Sequence, residues 1–268
     1  MPSTLHKSLA ALAVAVAATL AASPLSAPSG DAKTDAARPR IVLVHGAFAD
    51  GSSWQHLIPL LERRGYDVIA VQNPMTSFAE DVATTKRAID AQEGPVVVVG
   101  HSYGGAVMTA ATAGNPNVKA LVYISAFAPD AGEPIGAFLA DYPTPLGAAL
   151  RPDADGFLSI DITQFHDVFC KDLNADDASV MALTQKPLIG TAFSSTLTSP
   201  AWRTIPSWYI VASEDRAINP ELERFYAKRI GATTTEIKSS HVPFLSHPKE
   251  VVRVIEAAAT GSKVRATQ

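Results

Sequence analysis

Five short stretches of the chain are dominated by apolar residues: 41–44, 67–71, 95–99, 120–124 and 207–212. A sixth, 233–237, alternates between polar and apolar positions. Apolar runs without alternation suit strands of a parallel sheet, because helices cover both of its faces. Helical spacing appears between the runs. Trp54, Leu57, Ile58, Leu60 and Leu61 mark one helix, with Gly65 as its stop. Phe78, Val82 and Ile89 mark a second, opened by Ser77 with Glu80 completing a capping box. Residues 103–113 form a helix of small side chains that can lie close to a sheet. Asn219-Pro220 places a cap and a first-turn proline ahead of a helix over 221–230, and 248–259 form the last. Strands alternating with helices predict an α/β fold with a doubly wound, mostly parallel sheet.

One interval breaks this rhythm. Between Ala126 and Pro206 no comparable strand occurs, while Pro, Gly, Asp and scattered aromatic residues are frequent. A loop of that length needs structure of its own. It reads as a mainly helical cap over 127–205, inserted into a domain that spans 40–260 and leaves a tail over 261–268.

The first residues follow a different pattern. Lys7 precedes an Ala/Leu/Val run over 9–22, and a Pro/Ser-rich patch follows. That is the layout of a secretory signal peptide, and the run is shorter than the roughly 20 residues of a membrane-spanning helix. The expectation is a leader and processing region over 1–30, a flexible lead-in over 31–39, and export to the periplasm or medium. No stable membrane anchor is expected after cleavage.

Composition narrows the function. The 268 residues are 47% hydrophobic, enough for one core, and the formal net charge of -4 comes without any basic run. No nucleic-acid partner is expected. Cys170 is the only cysteine, so no intramolecular disulfide can form, and its neighbours Val168 and Phe169 suggest packing. No metal or cofactor is called for. The sequence leaves the oligomeric state open.

The chemistry is carried by Gly100-His101-Ser102-Tyr103-Gly104. The pentapeptide follows a valine-rich strand and precedes the small-residue helix, the context of a sharp turn that exposes a nucleophilic serine. A serine hydroxyl needs a base. His241 follows the last strand directly and is the candidate; His247 is its competitor. The imidazole needs an orienting carboxylate. Asp215 ends the penultimate strand, with Glu214 and Asp130 as alternatives. Two backbone amides should receive the oxyanion. Tyr103 supplies one, and the turn His45-Gly46-Ala47-Phe48 the other, with Ala47 preferred over Phe48. Phe48, His101, Phe127, Phe138, Phe165, Phe169 and Trp202 are the candidate lining of an apolar substrate pocket.

Taken together, His45 to Phe48, Trp54, Gly100 to Gly105, Ser125 to Asp130, Glu214-Asp215 and His241 resemble the α/β-hydrolase superfamily. The nearest branch is that of the plant methylesterases, including the salicylate-binding esterase, the hydroxynitrile lyases and bacterial esterase relatives. The resemblance spans about residues 40–259. It implies the α/β-hydrolase fold and cofactor-free acyl transfer, with Ser102 as nucleophile, His241 as base and Asp215 as its orienter. Two departures speak against cyanohydrin cleavage. The lyases carry a lysine beside the catalytic histidine, where this chain has Val242 and Pro243. They also carry a threonine in the oxyanion turn, where it has Ala47. The expected partner is a small to medium carboxylic ester. Amide, lactone or cofactor-free perhydrolase (haloperoxidase-like) chemistry could use the same residues. So could a non-catalytic ligand-binding module on the same fold.

Overall fold

A computed structural model describes residues 38–262 of the chain. The expected leader over 1–30, most of the lead-in over 31–39 and most of the tail over 261–268 lie outside the described residues. In chain order the strands are β1 (Arg40–Val44), β2 (Val68–Ala70), β3 (Val96–His101), β4 (Val118–Ile124), β5 (Leu150–Pro152), β6 (Phe157–Ile160), β7 (Leu188–Ile189), β8 (Ser207–Ala212) and β9 (Thr233–Ile237). The helices are α1 (Ile58–Arg63), α2 (Phe78–Asp90), α3 (Tyr103–Ala111), α4 (Pro145–Ala149), α5 (Ile162–Phe169), α6 (Ala175–Thr184), α7 (Pro220–Arg229), α8 (Pro243–Ser246) and α9 (Pro248–Thr260).

All six stretches picked out by the hydrophobic pattern join one sheet, ordered β2-β1-β3-β4-β8-β9, and every neighbouring pair is parallel. Four of the five unbroken runs are the central strands: every residue of β3 is buried, as are Ile41 to Val44, while the fifth run gives the partly buried edge strand β2. The alternating run forms β9, an edge strand whose exposed positions, Thr234 and Glu236, alternate with more buried ones. The chain leaves β1 for the edge strand β2 and then returns to β3 on the other flank of β1. This reversal opens a crevice at the carboxyl ends of β1 and β3, where open α/β sheets bind ligands.

The helix signals mostly act as expected. Ser77 Oγ accepts the Glu80 amide at 3.1 Å, but the Glu80 carboxylate bonds the Thr76 hydroxyl, so only half of the capping box forms. Asn219 caps α7 through the Glu221 amide at 3.0 Å. The helix expected around Trp54 to Leu61 is divided: a 3-10 segment, Gly51–His56, precedes α1. Pro59 has no N–H to donate and sits in the first turn of α1, where that loss is tolerated.

The insertion between β4 and β8 holds α4 to α6. It also contains an antiparallel sheet, β5-β6-β7, that the sequence pattern did not announce. These strands have only two to four residues and are half-exposed over most of their length. They produce no apolar run long enough to read.

Candidate active site

The crevice at the strand ends is a cavity of about 410 Å³. Ser102 enters it from the turn between β3 and α3. Its backbone adopts φ 52° and ψ -124°, a conformation that a side-chain-bearing residue seldom holds. The surrounding glycines let the turn close. A Cβ on Gly104 would collide with the carbonyl oxygens of Val44 and His45, the latter 2.6 Å away. A Cβ on Gly100 would lie 2.8 Å from both Gly104 O and Met108 Sδ.

His241 comes from the loop between β9 and α8 and lines the same cavity. Its Nδ1–H donates to Asp215 Oδ2 at 2.5 Å, and both side chains are buried. Asp215 Oδ1 accepts the amides of Ala217 at 2.6 Å and Ile218 at 3.0 Å. This arrangement leaves the Nε2 side of the imidazole for the cavity. Among the described residues no hydrogen bond joins Ser102 Oγ to His241; such contacts commonly tighten only when substrate is bound.

The competitors point elsewhere. Glu214 is exposed and faces Lys238 at 3.5 Å. Asp130 pairs with Arg203 at 2.6 Å, which together with the Ala131 amide holds its carboxyl below the usual range despite slight burial. His247 bonds Ser246 at 2.9 Å and does not line the cavity.

Two amides face the crevice region. Tyr103 is the first residue of α3, so its N–H has no partner within the helix. The Ala47 amide, in the turn after β1, has no acceptor among the described residues. Both residues line the cavity. The Tyr103 side chain is anchored at its far end, where its hydroxyl donates to buried Asp81 at 2.8 Å. Burial and this carboxyl push the phenol well above its ordinary value, and burial raises the Asp81 carboxyl.

Two buried histidines brace the loops. His45 Nδ1–H donates to Gly46 O at 2.9 Å, while Nε2 accepts the Asn73 amide at 3.1 Å. That pattern requires a neutral ring, and burial lowers its pKa to about 4. His101 Nε2–H donates to the His241 carbonyl at 2.9 Å, and the two rings are 4.6 Å apart. Burial lowers the His101 pKa well below the ordinary value. From the cap, Asp172 accepts both the Ser240 hydroxyl and its amide, the latter at 3.1 Å.

Among the expected pocket residues, Phe48, Phe127 and Phe169 line the cavity. Four do not. His101 and Phe165 are fully buried and do not line it, the Phe165 ring lying tilted 5.0 Å from Phe169. Phe138 packs on Phe225 at 5.2 Å, and Trp202 donates to Pro129 O at 3.0 Å. Aromatic residues expected to line the pocket from the cap therefore marked packing more often than lining. The residues missed are mainly aliphatic: Leu139, Leu146, Leu150, Phe193 and Ile218. Ile218 could have been found from its place three residues after Asp215. Cys170 is buried, with its thiol pushed up to about 12 by burial, in keeping with packing.

Comparison with known proteins agrees with the fold. The model of a family described as "Alpha/beta hydrolase family" matches residues 41–254. An alpha/beta hydrolase of Aspergillus novofumigatus is 30% identical over 247 residues, covering 83% of this chain and 97% of that protein. Polyneuridine aldehyde esterase of Rauvolfia serpentina is 25% identical over 248 residues, covering 80% of this chain and 93% of that protein. A pyrethroid hydrolase from Sphingobium faniae shares the fold, with TM-score 0.71 at 22% identity over 83% of this chain and 97% of that one.

Proposed function

We propose, from the premise that this chain belongs to the alpha/beta hydrolase family and is a hydrolase, that it cleaves an uncharged, apolar carboxylic ester through an acyl-enzyme. The observation that carries the reading is the lining of the cavity. Ser102, His241, Ala47 and Tyr103 share it with aliphatic and aromatic side chains, and among the described residues the lining includes no Lys, Arg, Asp or Glu. An ionised substrate would lie there without a partner, at a cost of several kcal/mol.

The roles follow from the contacts. Asp215 holds the Nδ1–H tautomer of His241, so Nε2 takes the proton from Ser102 Oγ as that oxygen attacks the ester carbonyl. The amides of Tyr103 and Ala47 receive the oxyanion. His241 returns the proton to the departing alcohol, then activates the water that releases the acid. The names of an esterase and a pyrethroid hydrolase among the similar proteins support ester chemistry.

The test uses purified protein, p-nitrophenyl esters and a fluorophosphonate probe. Ser102→Ala should lower kcat/KM by about 10⁴-fold or more and abolish labelling. Neutral acyl chains should be preferred over carboxylate-bearing chains of similar length. Hydrolysis undiminished in Ser102→Ala would remove the nucleophile from its role. We further propose export through the leader over 1–30; the N-terminus of secreted protein, read by mass spectrometry, would lie within residues 23–32.

A further inference from the structure

The reaction just described leaves one buried carboxyl without a task. Glu223, in α7, has no solvent exposure. Its Oε2 accepts the Ala212 amide at 2.9 Å, at the carboxyl end of β8. Three residues beyond Ala212 stands Asp215, whose amide donates to the Ala212 carbonyl at 3.2 Å, so both carboxyls are brought to the same turn at the end of β8. Glu223 Oε1 receives no donor among the described residues.

Two carboxylates have no proton to share, so a hydrogen bond between them requires one to be the neutral acid. The surroundings choose which. Asp215 already accepts His241 Nδ1–H and two backbone amides, so both of its oxygens are engaged as acceptors. Glu223 accepts a single amide. We propose that Glu223 is a positioning residue for Asp215, a neutral acid whose Oε1–H donates to the Asp215 carboxylate and holds it in line with His241. This rests on the triad reading given above.

The wider setting supports the assignment. Burial, with the facing Asp215 next, raises the Glu223 carboxyl well above its usual range. The other groups that bear on it are Tyr209 from β8, itself buried and with its phenol raised, and Arg224 from α7. Arg224 is engaged at the surface with Glu221 and Glu236, both at or below 2.7 Å.

Infrared spectroscopy of the resting full-length protein and pH profiles of p-nitrophenyl ester hydrolysis together test the proposal. With isotope-labelled glutamate, wild type shows a protonated-carboxyl stretch at neutral pH that vanishes in Glu223→Gln and shifts in Asp215→Asn. Absence of that band from wild type overturns the proposal. Glu223→Leu lowers kcat about tenfold and moves the acid limb to higher pH, because Asp215 without its donor binds the imidazole proton more strongly. Glu223→Gln keeps an N–H donor; it recovers most of the rate and brings the midpoint back. A Gln variant whose limb moves to lower pH would mean that a negative charge had been removed, and the neutral acid is then refuted. A Leu variant that melts earlier but keeps the wild-type midpoint reduces Glu223 to a structural part. Should wild type hydrolyse no ester, the reaction reading falls, while the band and its shift in Asp215→Asn still decide the carboxyl pair.

Discussion

Two regions meet at the cavity and are held by different forces. The carboxyl ends of β1, β3, β8 and β9 belong to a sheet in which β3 and β8 are buried along their whole length. The loops there are fixed by backbone geometry and buried polar contacts: the Ser102 turn, His45 on Asn73, His101 on the His241 carbonyl. The cap reaches the same cavity with Leu139, Leu146, Leu150 and Phe193, all partly exposed. It is tied down by half-exposed ion pairs such as Arg216–Asp167 at 2.9 Å. A region without slack can hold reacting atoms to a fraction of an ångström. A looser one can change its lining at small cost to stability. The sheet ends thus fix position, while the cap supplies the partly exposed share of the lining.

The contrast can be broken most sharply at the elbow. Gly104→Ala places a methyl group against two backbone carbonyls, so it should destabilise the fold by about 3 kcal/mol or more and remove hydrolysis. Denaturant melts would measure the first effect and ester assays the second.

Acid should strike the sheet side next. His45 is buried neutral, with its pKa lowered to about 4 from 6.5. Below pH 6.5 the unfolded chain binds a proton there that the folded chain refuses. Stability therefore falls as pH drops from about 6.5 to about 4, by about 3 kcal/mol from this ring. His101 adds loss in the same direction. Urea midpoints across this window test the sign; a flat profile would contradict it.

Changes in the cap should be milder and of another kind. Phe193→Ala widens the lining and removes edge contacts with the Tyr103 and Phe127 rings, while Tyr103 stays anchored through Asp81, so KM for apolar esters should rise several-fold while kcat stays within about twofold. Asp167→Ala removes the partner of Arg216 at the surface and should cost under about 1 kcal/mol. If its cost in thermal melts matched that of Gly104→Ala, the division between the two regions would be wrong.

The same contrast explains what could be read in advance. Sheet strands buried on both faces must be apolar throughout, so Val96 to Val99 and Ile41 to Val44 announced themselves. The elbow was legible because its glycines answer a local steric demand. The cap strands were not legible, since two to four half-exposed residues leave no period. Pocket residues failed for a related reason: Phe138, Phe165 and Trp202 are aromatic because something must fill space, and sequence does not say on which side of a ring the cavity lies.

The sequence by itself determined which segments become sheet strands and where the glycine-framed turn at Ser102 lies, because burial on both faces and a local steric demand each leave a mark on adjacent residues. Only the tertiary structure decided the rest. It put Asp215 rather than Glu214 against the imidazole, chose Leu146 over Phe138 for the cavity wall, and set the Glu223 carboxyl on the Ala212 amide. Those outcomes depend on which way side chains from distant segments point once α7, the cap and the strand ends pack together, and no local pattern carries that direction.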